Sequence, residues 1–149
     1  MQVSEIISRN VETIDPAATV REAAQRMRSM DVGSLPVCDG SHLLGMITDR
    51  DITIRAIADG RDPAQTAVRD AMTPSVEYVF EDDDVQRAAQ IMQDMQIRRL
   101  PVVNREKKLV GIIALGDIAR TGDDRMSGNT LQDISDPERQ PSEARDDRA

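Results

Sequence analysis

Aromatic side chains are nearly absent from this 149-residue chain, which has no Trp, one Tyr and one Phe. Any core must therefore be assembled from Val, Ile, Leu, Met and Ala, and stacking platforms for the bases of a single-stranded nucleic acid are missing. A single cysteine, Cys38, excludes an intramolecular disulfide and leaves no sign of an oxidising compartment. It stands in Leu35-Pro36-Val37-Cys38, where a thiol is expected to act as a small apolar filler of a buried strand. The one histidine, His42, sits in a turn sequence and provides no zinc-ligand set, so no metal site is expected. Cations are too scarce for non-specific nucleic-acid binding, because the net charge is −8 and the pI is near 4.6.

Apolar runs are short as well. None approaches the roughly 20 residues that span a bilayer, so no membrane partner is expected. Met1-Gln2-Val3-Ser4-Glu5 carries neither the basic segment nor the apolar stretch of a signal peptide, and a cytoplasmic location is the expectation. Catalytic apparatus is missing too: there is no Walker loop, no Gly-x-Ser-x-Gly elbow and no base beside Cys38. The balance of 39% hydrophobic and 31% charged residues is that of a soluble globular protein. These features favour a binding module over an enzyme, with no cofactor required.

What the chain does have is a repeat. Val3, Val11, Val20, Ala23, Ala24, Met27, Leu35, Pro36 and Val37 return 65 residues later as Val68, Val76, Val85, Ala88, Ala89, Met92, Leu100, Pro101 and Val102. One extra residue then enters the second copy, so that Gly45, Ile47, Asp51 and Ile52 match Gly111, Ile113, Asp117 and Ile118. A long period occurring twice indicates two stacked structural units rather than a solenoid.

Each copy is expected to open on a short strand, around Val11 to Ile14 and around Glu77 to Val79, and to continue into a helix with apolar residues at helical spacing. Thr19 with Glu22 forms a capping box before the first helix, and Asp84 is a candidate N-cap for the second. Two strands around a turn follow, and then a second helix starting near Asp49 and near Leu115. Val20, Met27, Val37 and Ile47 should be buried, as should Val85, Met92, Val102 and Ile113. The expected organisation is a first domain over 1–60, a connector over 61–67, a second domain over 68–121 and a polar acidic tail over 122–149. That tail sets four arginines against eight acids and carries half of the net charge. Only a short turn at Thr130 to Ser135 is expected to dock, and deletion after Ser135 to cost little stability.

The pattern strand–helix–Leu-Pro-Val–turn–Gly-x-Ile-Thr-x-x-Asp–helix, present twice, with Val68-Arg69-Asp70-Ala71-Met72-Thr73-Pro74 opening the second copy, resembles the CBS domain over residues 1 to 121. The resemblance implies an α/β (α+β) fold of two pseudo-symmetric βαββα units packed as a Bateman module, and a homodimer. It implies regulatory binding of an adenine nucleotide (AMP, ADP or ATP, with NAD or S-adenosylmethionine as further possibilities) and an unknown protein partner that reads the state. An alternative is a ligand-free scaffold acting through its dimer surface and tail.

Gly45-Met46-Ile47-Thr48-Asp49-Arg50-Asp51 matches the family's ribose motif. One carboxylate can accept from both hydroxyls of a ribose, and a helix entry offers backbone N–H groups to phosphate. The same Thr48-x-x-Asp51 is also a capping box. In the second copy Ala114 replaces Thr48, yet Asp117 keeps the Asp51 position. By the resemblance, one nucleotide would rest its ribose on Thr48 and Asp51, its phosphates on Arg98 and Arg99, and its adenine along Met46, Val76, Glu77, Tyr78, Ile97 and Pro101. A second, weaker site would join Asp117 and Ile112 to Val11, Glu12, Thr13, Val32 and Gly33. The acidic run Glu81-Asp82-Asp83-Asp84 is expected to be a solvated helix entry, not a cation site.

Overall fold

A computed structural model describes residues 1–121, and the tail expectations, including the Thr130 to Ser135 turn and the truncation after Ser135, lie outside the described residues. The chain clusters into two compact units that do not follow the linear copies. Among the described residues the first unit holds 12–76, and the second combines 1–11 with 77–121. Each repeat's opening segment, around Val3 or Val68, thus joins the unit built on the other repeat's helix.

In the first unit, helix α1 (Val20–Met30) is capped by Thr19, whose Oγ1 accepts the Glu22 N–H at 3.1 Å, so only the Thr19 half of the expected capping box forms. Its buried face is Val20, Ala23 and Met27, a one-sided helical spacing; Ala24 faces outward. Strands β1 (Ser34–Asp39) and β2 (His42–Thr48) form an antiparallel hairpin around Gly40, whose φ of +62° suits the tight turn. A two-residue strand β3 (Thr73–Pro74) adds to the far edge of β2. Helix α2 (Asp49–Ile52) begins where β2 ends and runs into a π-helical stretch, Thr53–Ile57. The core joins Ile14, Leu35, Val37, Ile47 and Ile52 to the α1 face and to Val68 and Ala71.

The second unit repeats the plan. Strand β4 (Val79–Phe80) pairs in parallel with β5 (Arg99–Val103), which pairs antiparallel with β6 (Leu109–Ala114). Helix α3 (Val85–Met95) is capped by Asp84, whose Oδ1 accepts the Gln86 N–H at 2.8 Å. Helix α4 (Leu115–Ala119) follows β6 directly. The β hairpins of the two units carry a register irregularity at the same repeat position, Val37/Cys38 and Val102/Val103.

All eight residues expected to be buried are buried, each no more than 6% exposed. One expected element is reduced. The strand around Val11 to Ile14 contracts to a single bridge between Ile14 and Val37, because only the Ile14 backbone bonds β1, donating to Pro36 O and accepting from Cys38 N. The strand expected around Glu77 to Val79 begins two residues later, as β4.

Candidate functional site

The repeated glycine of the motif owes its place to backbone contact. A Cβ on Gly45 would lie 2.4 Å from the Thr73 carbonyl oxygen, and one on Gly111 would lie 2.6 Å from the Ser8 carbonyl oxygen. Only glycine lets the neighbouring segment cross so closely. In the first unit this crossing brings Thr73 to Asp51, 22 residues away in sequence.

Asp51 is 8% exposed and hydrogen-bonded through both carboxylate oxygens. Its Oδ2 accepts the Thr48 N–H at 3.0 Å, and its own N–H donates to Thr48 Oγ1 at 3.0 Å, which completes the capping box. The Thr73 hydroxyl donates to the same carboxylate, 3.1 Å from Oδ1 and 3.3 Å from Oδ2. Arg55 steadies the crossing segment by donating from Nη1 to the Met72 and Ala71 carbonyls at 2.7 and 3.3 Å. Thr73 was not among the residues singled out by the sequence, where only its place in Met72-Thr73-Pro74 could have pointed to it.

The backbone donors at this helix entry are already taken, contrary to the expectation that they would be available to a phosphate. Asp49 N–H donates to Gly33 O, Arg50 N–H to Asp49 Oδ1, and Asp51 N–H to Thr48 Oγ1. A phosphate would have to find side chains instead.

Asp117 is set differently. Its Oδ2 accepts the Ala114 N–H at 2.8 Å, but Ala114 supplies no cap oxygen in return, and its Oδ1 is paired with the Arg120 guanidinium. Ser8, at the Thr73 position, meets Ile112 through two backbone bonds of 2.9 Å.

The other expected residues divide between the units. Met46, Thr48, Asp51 and Val76 belong to the first; Glu77, Tyr78, Ile97, Arg98, Arg99 and Pro101 belong to the second. Met46 and Val76 are half-buried, Glu77, Arg98 and Arg99 are exposed, and Pro101 is buried within β5 opposite Ile112. The Arg98 carbonyl accepts the Leu115 N–H at 2.8 Å, as Gly33 O accepts from Asp49. Ile97 packs against the second core. Of the weaker set, Val11 and Ile112 lie in the second unit with Asp117, and Glu12, Thr13, Val32 and Gly33 lie in the first. Val32 packs against the first core, and the Thr13 carbonyl accepts from Arg26.

Tyr78 makes an edge-to-face contact with Phe80, the centroids 5.7 Å apart, so the chain's two aromatic rings are neighbours. They border an open groove of about 450 Å³ lined by Glu77, Asp83, Arg87 and Arg105. Its cations are occupied: Arg105 stacks 4.1 Å from the Phe80 ring and binds both oxygens of Asp82, and Arg87 lies 3.8 Å from Asp83. Asp82, Asp83 and Asp84 thereby serve as ion-pair partner, turn acceptor and helix cap. Among the described residues no three His, Cys, Asp or Glu side chains gather to hold a metal ion, and no helix is long and apolar enough to cross a membrane. Burial pushes the Cys38 thiol up to about 11, away from the reactive thiolate.

Comparison with known proteins accords with this repeated design. The chain is 40% identical over 134 residues to the CBS domain-containing protein YhcV of Bacillus subtilis, covering 89% of this chain and 94% of that one. It is 39% identical over 117 residues to Hypoxic response protein 1 of Mycobacterium tuberculosis, covering 78% and 81%. A crystal structure of Hypoxic Response Protein I, with two coordinated zinc ions, superimposes with a TM-score of 0.72 at 36% identity, covering 80% of this chain and 98% of that one. The structure of CBSX2 in complex with AMP matches with a TM-score of 0.70 at 27% identity, covering 81% and 95%. The CBS domain pair of MJ0100, in complex with 5'-methylthioadenosine and S-adenosyl-L-methionine, matches with a TM-score of 0.68 at 28% identity, covering 84% and 98%. The CBS domain profile itself fits residues 3–56 and again 68–123, so the two glycine-and-aspartate hairpins are two copies of one module and the chain belongs to the CBS domain family.

Proposed function

We propose that this chain is a non-catalytic, homodimeric regulatory module that reversibly binds an adenine nucleotide, with the ribose diol on Asp51. The observation that carries it is the state of that carboxylate. Asp51 is held in place by neutral donors, Thr48 N–H and Thr73 Oγ1, and among the described residues no cation pairs with it. A fixed carboxylate without a counter-ion is an acceptor that two adjacent hydroxyls can satisfy with charge-assisted bonds. Since the helix-entry N–H groups are taken, the phosphates depend on cationic side chains, for which Arg98 and Arg99 are the candidates. Met46, Val76, Glu77, Tyr78, Ile97 and Pro101 are the candidates to meet the adenine. The AMP complex of CBSX2 and the S-adenosyl-L-methionine complex of MJ0100 support the adenosine class. Ligand would act by favouring whichever state of the module binds it better.

One observation favours the scaffold alternative. The bonds to Thr48 and Thr73 give Asp51 a complete structural role without any ligand.

Calorimetric titration with AMP and ATP decides between them. The parent should bind, Asp51→Ala should lose binding, and Arg99→Ala should weaken it tenfold or more in a salt-sensitive way, since a charge-assisted contact is worth roughly 1.5–3 kcal/mol. Arg99 is exposed, so its variant reports on binding even where Asp51→Ala is unstable. A parent that binds neither nucleotide, and whose melting temperature neither shifts, hands the function to the scaffold reading.

A further inference from the structure

The arginines that follow the two motif carboxylates are out of step by one residue. In the second unit Arg120 stands three residues after Asp117 and pairs with its Oδ1. In the first unit the third residue after Asp51 is Ile54, which is 51% exposed, and the arginine comes one position later, as Arg55. The π-helical stretch Thr53–Ile57 takes up the difference, its wider turn closed by the Ala58 N–H on the Thr53 carbonyl at 2.9 Å. Arg55 consequently donates to the Ala71 and Met72 carbonyls and leaves Asp51 alone.

We propose that Arg120 is a built-in counter-ion for Asp117 that competes with a diol for the carboxylate, so that the position of one arginine decides which copy binds. The proposal rests on the adenine-nucleotide reading above. A guanidinium and a pair of ribose hydroxyls are all donors, and both need the same carboxylate lone pairs. Asp51 meets a neutral hydroxyl, Thr73 Oγ1, that leaves its charge uncompensated; Asp117 meets a full positive charge. Arg120 is exposed, so it can be displaced, and its hold is limited to about a fivefold effect on affinity.

The test is a two-site calorimetric titration of the full chain with AMP, comparing the parent with Arg120→Ala, Arg120→Lys, Ile54→Arg and Arg120→Ala/Asp117→Asn. Arg120→Ala should tighten the weaker site about fivefold, Arg120→Lys should stay near the parent, and the double variant should lose the gain. Ile54→Arg should weaken the Asp51 site. Melting temperatures of the single variants, all at exposed positions, should stay close to the parent. A parent that binds at Asp51 while Arg120→Ala gains nothing overturns the counter-ion and leaves the nucleotide reading standing. A parent that binds no AMP while Arg120→Ala acquires an Asp117-dependent site does the reverse. Loss of weaker-site binding in Arg120→Ala makes Arg120 a phosphate ligand and also overturns the proposal, and absence of binding in every variant overturns both.

Discussion

Asp51 and Asp117 occupy equivalent places in the first turns of α2 and α4, yet they live in different company. Asp51 is nearly closed off by Thr48, Thr73 and its own helix turn, whereas Asp117 leans on one backbone N–H and one exposed arginine. The glycines six residues earlier, Gly45 and Gly111, show no such divergence, since both are pressed against a crossing backbone. Duplication has thus kept what the backbone needs and let the charges drift apart. Steric demands at the crossing are shared by both copies; the charged contacts around the two carboxylates are not.

The largest effects should come from breaking what the two units share. Gly45→Ala puts a methyl 2.4 Å from a backbone oxygen, and Gly111→Ala puts one 2.6 Å from another and 2.9 Å from the Ile7 side chain. Neither oxygen belongs to a flexible side chain, so a strand must shift. Each variant should lose about 1–3 kcal/mol in urea unfolding, with Gly45→Ala no milder than Gly111→Ala. Loss confined to one of the two would mean that one crossing is dispensable.

The second comparison is sharper. Asp51→Ala leaves the Thr48 N–H and the Thr73 hydroxyl without their acceptor in a nearly closed site, which should cost about 1–3 kcal/mol. Asp117→Ala removes one backbone bond and an ion pair to an exposed arginine and should cost about 1 kcal/mol or less. Equal losses would show that the Thr73 contact contributes nothing to stability.

Much of this was legible in the sequence because it is local. Helical spacing put Val20, Ala23, Ala24 and Met27 on one face, of which all but Ala24 are buried; Thr19 and Asp84 announced the helix starts, and Leu-Pro-Val with a turn gave both hairpins. The candidate carboxylates were legible as well, since the repeat aligns them. Long-range consequences were not. Nothing near Asp51 in sequence shows that Thr73 will reach it from 22 residues away, or that the motif glycine answers a carbonyl beyond the next helix. The N–H groups at the α2 entry seemed available because the acceptors that satisfy them are partly remote, Gly33 O above all. Ala24 and Ala89 are the same residue in the same register, but Ala24 is exposed and Ala89 buried, because the residues around them differ while the pattern does not. The first opening strand shrank to a bridge and the second shifted by two residues for a related reason: two or three residues of alternation carry too little signal to fix a strand's extent.

The smallest effect at neutral pH should come from a buried position where the copies differ only between a thiol and an apolar side chain. Cys38 and Val103 are equivalent residues of β1 and β5, at 3% and 0% exposure. Cys38→Val installs the second copy's choice in the first, and near pH 7 it should change stability by less than about 1 kcal/mol, because the site is apolar in both. Alkaline solution should separate the two proteins. Burial lifts the Cys38 thiol to about 11 in the folded chain, so between about pH 9 and 11 the unfolded chain gives up this proton first. The folded state then holds more protons than the unfolded one, and stability falls as pH rises. The contribution is fully present below the unfolded thiol's range and is lost on the way up to about 11, with a limiting slope of about 1.4 kcal/mol per pH unit. Valine has no proton to lose. Urea unfolding of parent and variant at pH 7, 9 and 10.5 should therefore give curves that nearly coincide at the first and diverge at the last in favour of the variant. Other groups that titrate there affect both proteins alike and cancel in the difference. A difference that stays flat with pH would mean that the thiol ionises as readily in the folded chain as in the unfolded one, and that β1 is open to water where β5 is not.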